Sequence, residues 1–499
     1  MLRSRLALWL AILIFPPLGL ILLWIRHGRV FPKLAGTVAV FAIAVVELIW
    51  VYKFRIVFNG NMDHVIAYSF RWTSHHDADL EASRAQQKQE PEPTPPVEPA
   101  PVEPIRTATV KERTTIVPAS YWTDFRGPHR DGVYSQTAIT TEWPLKMLWK
   151  EPVGGGYASI SFGDGRAYTI EQRRGNEAVT AYNPDTGREI WAFTYPASFD
   201  EVLGGPGPRA TPVFHEGLVY SLGALGDFYC LDAKTGKPKW SKNILTDNAA
   251  SNAHWAMAGS PLIVDDKVIV TPGGTNGKSI VAYNRLTGDP VWQSLNDSAG
   301  YTSPILANFS SHRQIVWINA ERAVGLDPEN GKLLWSYPFP AGMGMNCSQP
   351  VIIDETHVLL SSSDAHGAAL LEITADGAKE IWKNNRLKNK FNSSVLHDGY
   401  VYGLDEQILA CIDPKTGDVK WKGGRYGYGQ VLLAGEHLIV LTEDGDVVLV
   451  RATPESHQEL ARFKAIEGRT WNIPAIDHGL LLVRNASEMA CFRIGRTSE

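Results

Sequence analysis

Hydrophobic and polar positions divide the chain into three regimes. Residues 6–25 (LALWLAILIFPPLGLILLWI) run for 20 residues without a charge. At about 1.5 Å per residue this length matches a hydrocarbon core of about 30 Å, and Pro16 and Pro17 are tolerated in a membrane helix. Residues 34–52 form a second apolar run whose one charge, Glu47, lies near an end, and Trp24, Trp50 and Tyr52 stand where interfacial aromatics are expected. The pattern predicts a transmembrane helical hairpin over residues 1–55. A cleavable signal peptide is the competing reading. The first run is longer than a signal h-region and a second run follows it, which favours the hairpin. Arg26, Arg29 and Lys33 lie in the link, against Arg3 and Arg5, then Lys53 and Arg55, on the outer flanks. The positive-inside rule then puts the rest of the chain outside the cytoplasm. The expected address is the inner (cytoplasmic) membrane, with the lipid bilayer as a partner and the large C-terminal part on the periplasmic, extracytoplasmic side.

The second regime, residues 56–113, reads as a polar and Pro/Glu-rich linker. Residues 89–104 (QEPEPTPPVEPAPVEP) bury no apolar area, and the expected state is an extended spacer.

The third regime, residues 114–499, alternates two patterns. One is an apolar pair, Asp or Asn, two variable positions, Thr-Gly, then Trp: AYNPDTGREIW, CLDAKTGKPKW, AYNRLTGDPVW, GLDPENGKLLW, EITADGAKEIW and CIDPKTGDVKW. The Trp positions are Trp149, Trp191, Trp240, Trp292, Trp335, Trp382 and Trp421, spaced 39 to 52 residues apart, and Phe463 continues the series in a degraded copy. The other pattern is a small or polar residue, often Pro, an apolar run, a turn and a second apolar run; it occurs eight times. Gly at the turn supplies positive φ, and Asp/Asn with Thr stabilises a tight reversal. Each block therefore reads as four short strands, and four-stranded units of this length repeated radially are propeller blades. The expected fold is all-β: an eight-bladed β-propeller with N/C-terminal strand closure, preceded by two transmembrane helices and the linker. Residues 145–153 should pair with 489–495 and complete the last blade.

Composition narrows the function classes. With 48 Lys+Arg against 53 Asp+Glu, the net charge of −5 lacks the basic surface of a nucleic-acid protein, and four Cys rule out a disulfide scaffold. Cys230, Cys411 and Cys491 share one slot of their blades and read as small buried residues; Cys347 is alone, and no zinc spacing exists.

The repeats resemble the tryptophan-docking repeats of eight-bladed propellers related to the pyrroloquinoline-quinone (PQQ) dehydrogenases, a group that includes the non-enzymatic outer-membrane assembly propeller BamB. The segment WTDFRGPHRDGV (122–133) resembles the opening of many PQQ-like repeat proteins of bacterial envelopes. Its residues read as a structural clasp, with Arg126 and Arg130 bonding loop carbonyls. The resemblance implies one of two functions: a scaffold that binds envelope proteins or peptides, or an oxidoreductase using PQQ and Ca²⁺. The enzymes need a metal-binding carboxylate pair, an Arg beside the quinone and often a vicinal disulfide, and no adjacent Cys pair exists here. Residues 443–446 (EDGD) read as a solvated hairpin turn, and Asp364 with His366 as a strand-to-strand turn.

No catalytic or metal residues are assigned. The candidate ligand-binding surface is the channel mouth, where the innermost strands begin: Tyr157, Arg209, His254, Trp255, Tyr301, Asn346, Lys390, Tyr428 and Trp471, with Phe391 and Asn472 beside them. Aromatics mixed with cations suit a planar anion or a peptide. Two longer insertions, 194–208 and 244–257, should overhang this face. The expected function is a membrane-anchored, non-catalytic interaction scaffold in envelope biogenesis. A PQQ-dependent oxidoreductase and a sensor of a cell-wall sugar or peptide are the alternatives.

Overall fold

The computed structural model describes residues 37–43, 45, 54–58, 65–70, 76–89, 120–363 and 367–495. The first apolar run and the Pro/Glu tract after Gln89 lie outside them, as do Asp364 and His366. Of the second apolar run, residues 37–43 and 45 are helical. Among the described residues no helix is long and apolar enough to cross a membrane. The chain divides into two units: residues 1–78 with 202–204, and residues 79–201 with 205–499. In the first, Phe54–Phe58 pairs antiparallel with Val65–Phe70. The second carries the ring.

Among the described residues the ring has eight sheets of at least four strands each, with four antiparallel strands in every one, so the predicted all-β propeller is present. Blade 1 starts at Ser161–Gly163, blade 2 at Val213–His215, blade 3 at Leu262–Val264 and blade 4 at Ile305–Phe309. Blades 5 to 8 start at Val351–Ile352, Val395–His397, Gln430–Ala434 and Ala475–Asp477. Blade 8 takes its outer strand from the other end of the ring: Lys146–Pro152 pairs with Glu488–Arg493, with Cys491 opposite Trp149. This is the predicted closure, and it leaves no open sheet edge between the two ends of the ring.

The repeat motif has a physical origin. Each Trp stands on the outermost strand of its blade, and all but Trp335 donate to a turn carbonyl of the next blade. The indole Nε1 of Trp149 donates to the carbonyl of Pro184 at 2.7 Å, that of Trp191 to Ala233 at 3.0 Å, and that of Trp292 to Pro328 at 3.1 Å. The turn Gly lies under the ring with φ near +70°, and a Cβ at Gly187, Gly236, Gly288 or Gly331 would fall 2.5–2.9 Å from the indole. Glycine is therefore required twice over, by conformation and by contact. Blade 5 lacks the Thr-Gly turn, having Asp376-Gly377 instead. Accordingly Trp335 turns inward and donates to Gln314 Oε1 of its own blade at 2.7 Å.

Phe463 does not fill the eighth slot. The Trp position is the residue before a bulge, opposite a buried residue of the third strand: Ala181 faces Trp191 and Cys411 faces Trp421. In blade 7 Leu449 faces Ala461 there, and Phe463 is two residues farther on. It packs instead against Trp143 and Phe492, ring centroids 5.3 and 5.0 Å away. The same pairing explains the three shared-slot cysteines. Cys230, Cys411 and Cys491 each lie buried opposite a docking Trp, the slot that Ala181 and Leu370 take in blades 1 and 5.

The channel is lined by a hydrogen-bonded belt. On successive innermost strands, Ser159 N–H donates to Thr211 Oγ1, Thr211 N–H to Ser260 Oγ and Ser260 N–H to Ser303 Oγ, at 2.8–2.9 Å. Gln349 N–H donates to Ser393 Oγ, Gln430 Nε2 reaches the carbonyls of Phe391 and Trp471, and Ser159 Oγ donates to Ile473 O. These side chains satisfy backbone groups that have no strand neighbour on the channel side.

Candidate functional site at the channel mouth

The two ends of the channel differ. At the end where the innermost strands finish, residues 122–133 form the clasp that the sequence predicts. Arg130, 3% exposed, donates to the carbonyls of Ser260, Pro261 and Pro304 and pairs with both oxygens of Asp124 at 2.7 and 3.0 Å. Arg126, fully buried, reaches the carbonyls of Ser394 and Val431, and burial lowers its pKa to about 10. Val133–Tyr134 then adds a parallel fifth strand to blade 7. Residues 122–133 thus occupy this end of the channel.

At the mouth, an arc of rings crosses four blades. Tyr157 lies 5.5 Å from Trp471, Trp471 4.7 Å from Phe391, and Phe391 5.7 Å from Tyr428. A second arc joins His254 to Trp255 at 4.6 Å and Trp255 to Tyr301 at 5.9 Å. Three cations lie over ring faces. Arg469 stacks on Trp471 at 4.3 Å and donates to Tyr157 Oη at 2.8 Å. Arg209 covers Tyr157 at 5.5 Å and Phe199 at 4.9 Å, and Lys390 covers Tyr428 at 5.0 Å. Such pairs hold both partners in place and keep positive charge facing the opening. Burial lowers the pKa of Arg209 and raises that of Tyr301.

Two carboxylates belong to this surface, and each accepts from an indole. Glu201 Oε2 accepts from Trp255 Nε1 at 3.0 Å. Glu443 accepts from Trp471 Nε1 at 2.9 Å and from the N–H of Tyr428 at 3.1 Å. Glu443 is thus not part of a merely solvated turn; it fixes the rotamer of the central Trp. Phe199, Glu201 and Arg469 were not legible as mouth residues. Phe199 and Glu201 stand on the insertion 194–208, whose path no periodicity specifies, and Arg469 lies on the loop entering blade 8.

The structure brings Tyr157, Arg209, Trp255, Tyr301, Lys390, Tyr428 and Trp471 together, with His254 at the exposed edge. Two of the predicted residues are buried. Asn346, 2% exposed, uses its amide to brace the carbonyls of Asn319 and Phe339, and Tyr428 is 1% exposed beneath Lys390. Asn472 is likewise buried, donating to Gly156 O and Ala158 O.

Among the described residues one group of three potential metal ligands converges: His397, Asp398 and Glu436, with ligand atoms within 4.8 Å of one another. It lies where innermost strands of blades 6 and 7 end, away from the mouth. The three mouth cations suit the carboxylates of a planar quinone, but no set of acidic or imidazole ligands converges beside them.

Closed ring and docked indoles together define an eight-bladed β-propeller. The profile of a family described as outer membrane protein assembly factor BamB matches residues 175–423. The outer membrane protein assembly factor BamB of Burkholderia pseudomallei is 24% identical over 328 residues, 60% of this chain and 76% of the relative. A quinoprotein ethanol dehydrogenase of Pseudomonas putida is 28% identical over 251 residues, 43% of this chain, and the match spans only 40% of that enzyme. Among solved structures, BamB of Moraxella catarrhalis matches with a TM-score of 0.52 at 15% identity, covering 72% of this chain and all of that one. The quinohemoprotein alcohol dehydrogenase of Comamonas testosteroni matches at 0.54 and 15%, covering 76% and 81%. At such identities the structural matches speak for the fold alone.

Proposed function

We propose that this propeller is a non-catalytic scaffold of the cell envelope that binds a protein segment or an anionic ligand at its channel mouth. It is held at the inner membrane by the apolar N-terminal runs, with the ring on the extracytoplasmic side. The observation that carries the reading is the mouth: rings and cations in two arcs, with both local carboxylates engaged by indoles. Such a surface offers stacking and charge to a ligand. The similarity to BamB, an assembly factor by its description, supports a role in envelope biogenesis with envelope proteins or peptides as partners. A cell-wall sugar or peptide as ligand is compatible with the same stacking surface.

The test is a photo-crosslinking residue placed at Tyr157 of the full chain in its native membrane. The expected result is an adduct with an envelope polypeptide that disappears when Arg469→Ala and Lys390→Ala are combined, while the same probe at Lys383, on an exposed outer strand, gives none. Adducts of equal yield at both positions would sink the scaffold reading.

A second reading, a PQQ-dependent oxidoreductase, is favoured by the three cations over aromatic faces, which fit the carboxylates of the quinone. Adding PQQ and Ca²⁺ to the purified full chain with an alcohol or sugar and a dye decides it. Saturable dye reduction that Trp471→Ala abolishes would establish the enzyme.

A further inference from the structure

The helix His76–Gln89 lies within the stretch that reads as a linker, and its sequence explains why it escapes notice. HDADLEASRAQQKQ has one large apolar residue, Leu80. A helix of 14 residues with so little to bury is marginal in water. Yet Leu80 is 2% exposed and Arg84 7% exposed, so the helix is formed against something. That surface is the seam where the closing strand of blade 8 meets blade 1.

The contacts are specific. Ser83 Oγ donates to Glu151 Oε2 at 2.8 Å, on the closing strand. Arg84 Nη2 donates to Pro152 O at 2.8 Å and to Tyr182 Oη at 3.3 Å, and its guanidinium lies 5.1 Å from the Tyr182 ring centre. Its remaining nitrogens stand 3.4 Å from Glu189 and 3.8 Å from Glu151. Glu189 N–H donates to Gln87 Oε1 at 3.1 Å, and Arg188 caps the carbonyl of Gln87. Arg174 pairs with both oxygens of Glu81 at 2.6 and 2.8 Å. Beneath the helix lie three carboxylates, Glu151, Glu171 and Glu189, against the guanidinium groups of Arg173 and Arg484. Arg84 adds a third positive charge to this cluster.

We infer that the seam is a helix-binding surface and that residues 79–89 occupy it in cis as a strap joining the closing strand of blade 8 to blade 1.

Hydrogen exchange on the purified full chain tests this. A strap in cis protects the amides of residues 80–88 at least about tenfold over an unstructured peptide, independently of protein concentration. Glu81→Arg lowers that protection about two- to fivefold, the range of an exposed ion pair, and Arg174→Glu added to it restores the protection. Arg84→Ala lowers it further and also speeds exchange at the Glu189 amide. Exchange of residues 80–88 at the unstructured rate in the unmodified chain overturns the inference. So does protection that rises with protein concentration together with dimer formation, which would place the helix on a second copy.

Discussion

At the scale of single residues, the ring is held by one contact repeated: an indole lying on the glycine of the neighbouring blade. Gly331 has φ of +72°, and a Cβ there would meet Trp292 at 2.5 Å. Gly331→Ala therefore adds backbone strain to a steric clash, and we expect a loss of about 2–4 kcal/mol, measured by chemical denaturation. Gly377 of blade 5 is the control. It has φ of +130° and nothing within 4 Å of its would-be Cβ, because Trp335 bonds its own blade, so Gly377→Ala carries backbone strain without the clash. The motif was legible because each of its residues answers to a local requirement. The Asx turn needs Asn183 Oδ1 to accept from Asp185 and Thr186, the reversal needs positive φ, and the dock needs a flat donor.

At the scale of elements, the clasp and the strap act at opposite kinds of edge. The clasp 122–133 enters the end of the channel, and Arg130 gathers three carbonyls from blades 3 and 4 that have no strand partner. Arg130→Ala removes these donors and leaves the Asp124 carboxylate, whose pKa burial already raises, without its cation. We expect a loss of about 3–5 kcal/mol in the denaturation free energy at neutral pH, smaller at acid pH where Asp124 can take a proton. Arg126 and Arg130 stood out in the sequence as clasp residues because a short Gly/Pro-rich segment with two Arg can satisfy carbonyls but cannot build a core. The strap did not stand out. Its helical period is obscured by polar residues on the docked face, and Arg84 is an anchor that hydrophobic patterning does not register.

At the scale of the molecule, the buried cluster at the closure makes the ring sensitive to acid. Burial pushes the pKa of Glu171 up, but the charges of Arg173 and Arg484 and the Tyr182 hydroxyl outweigh it and hold it at about 2. A carboxyl depressed in the folded state contributes stability above its unfolded value near 4.5, and that contribution is lost as pH falls toward 2. The contribution is on the order of 3 kcal/mol. Glu171→Gln should lower stability at pH 7 and flatten the decline between pH 4.5 and 2, followed by denaturant midpoints across that range. An equally steep decline in the variant would assign the acid sensitivity to other carboxylates.

The chain's own order of residues determined the all-β class, the count of eight blades, the strand that closes them and the clasp. Each of these follows from short-range rules: a two-residue alternation, a turn that only glycine completes, and a repeat too regular for a generic core. The tertiary structure alone decided the rest. It put Ala461 and not Phe463 in the eighth slot, because the pairing sets Ala461 opposite Leu449 and Phe463 two residues farther along the strand. It turned Glu443 into the mouth, brought Phe199 and Glu201 there on an insertion without a repeat, and folded a polar segment into a helix across the seam. In each case the deciding contact lies tens or hundreds of residues away, so its energy appears only once the ring exists.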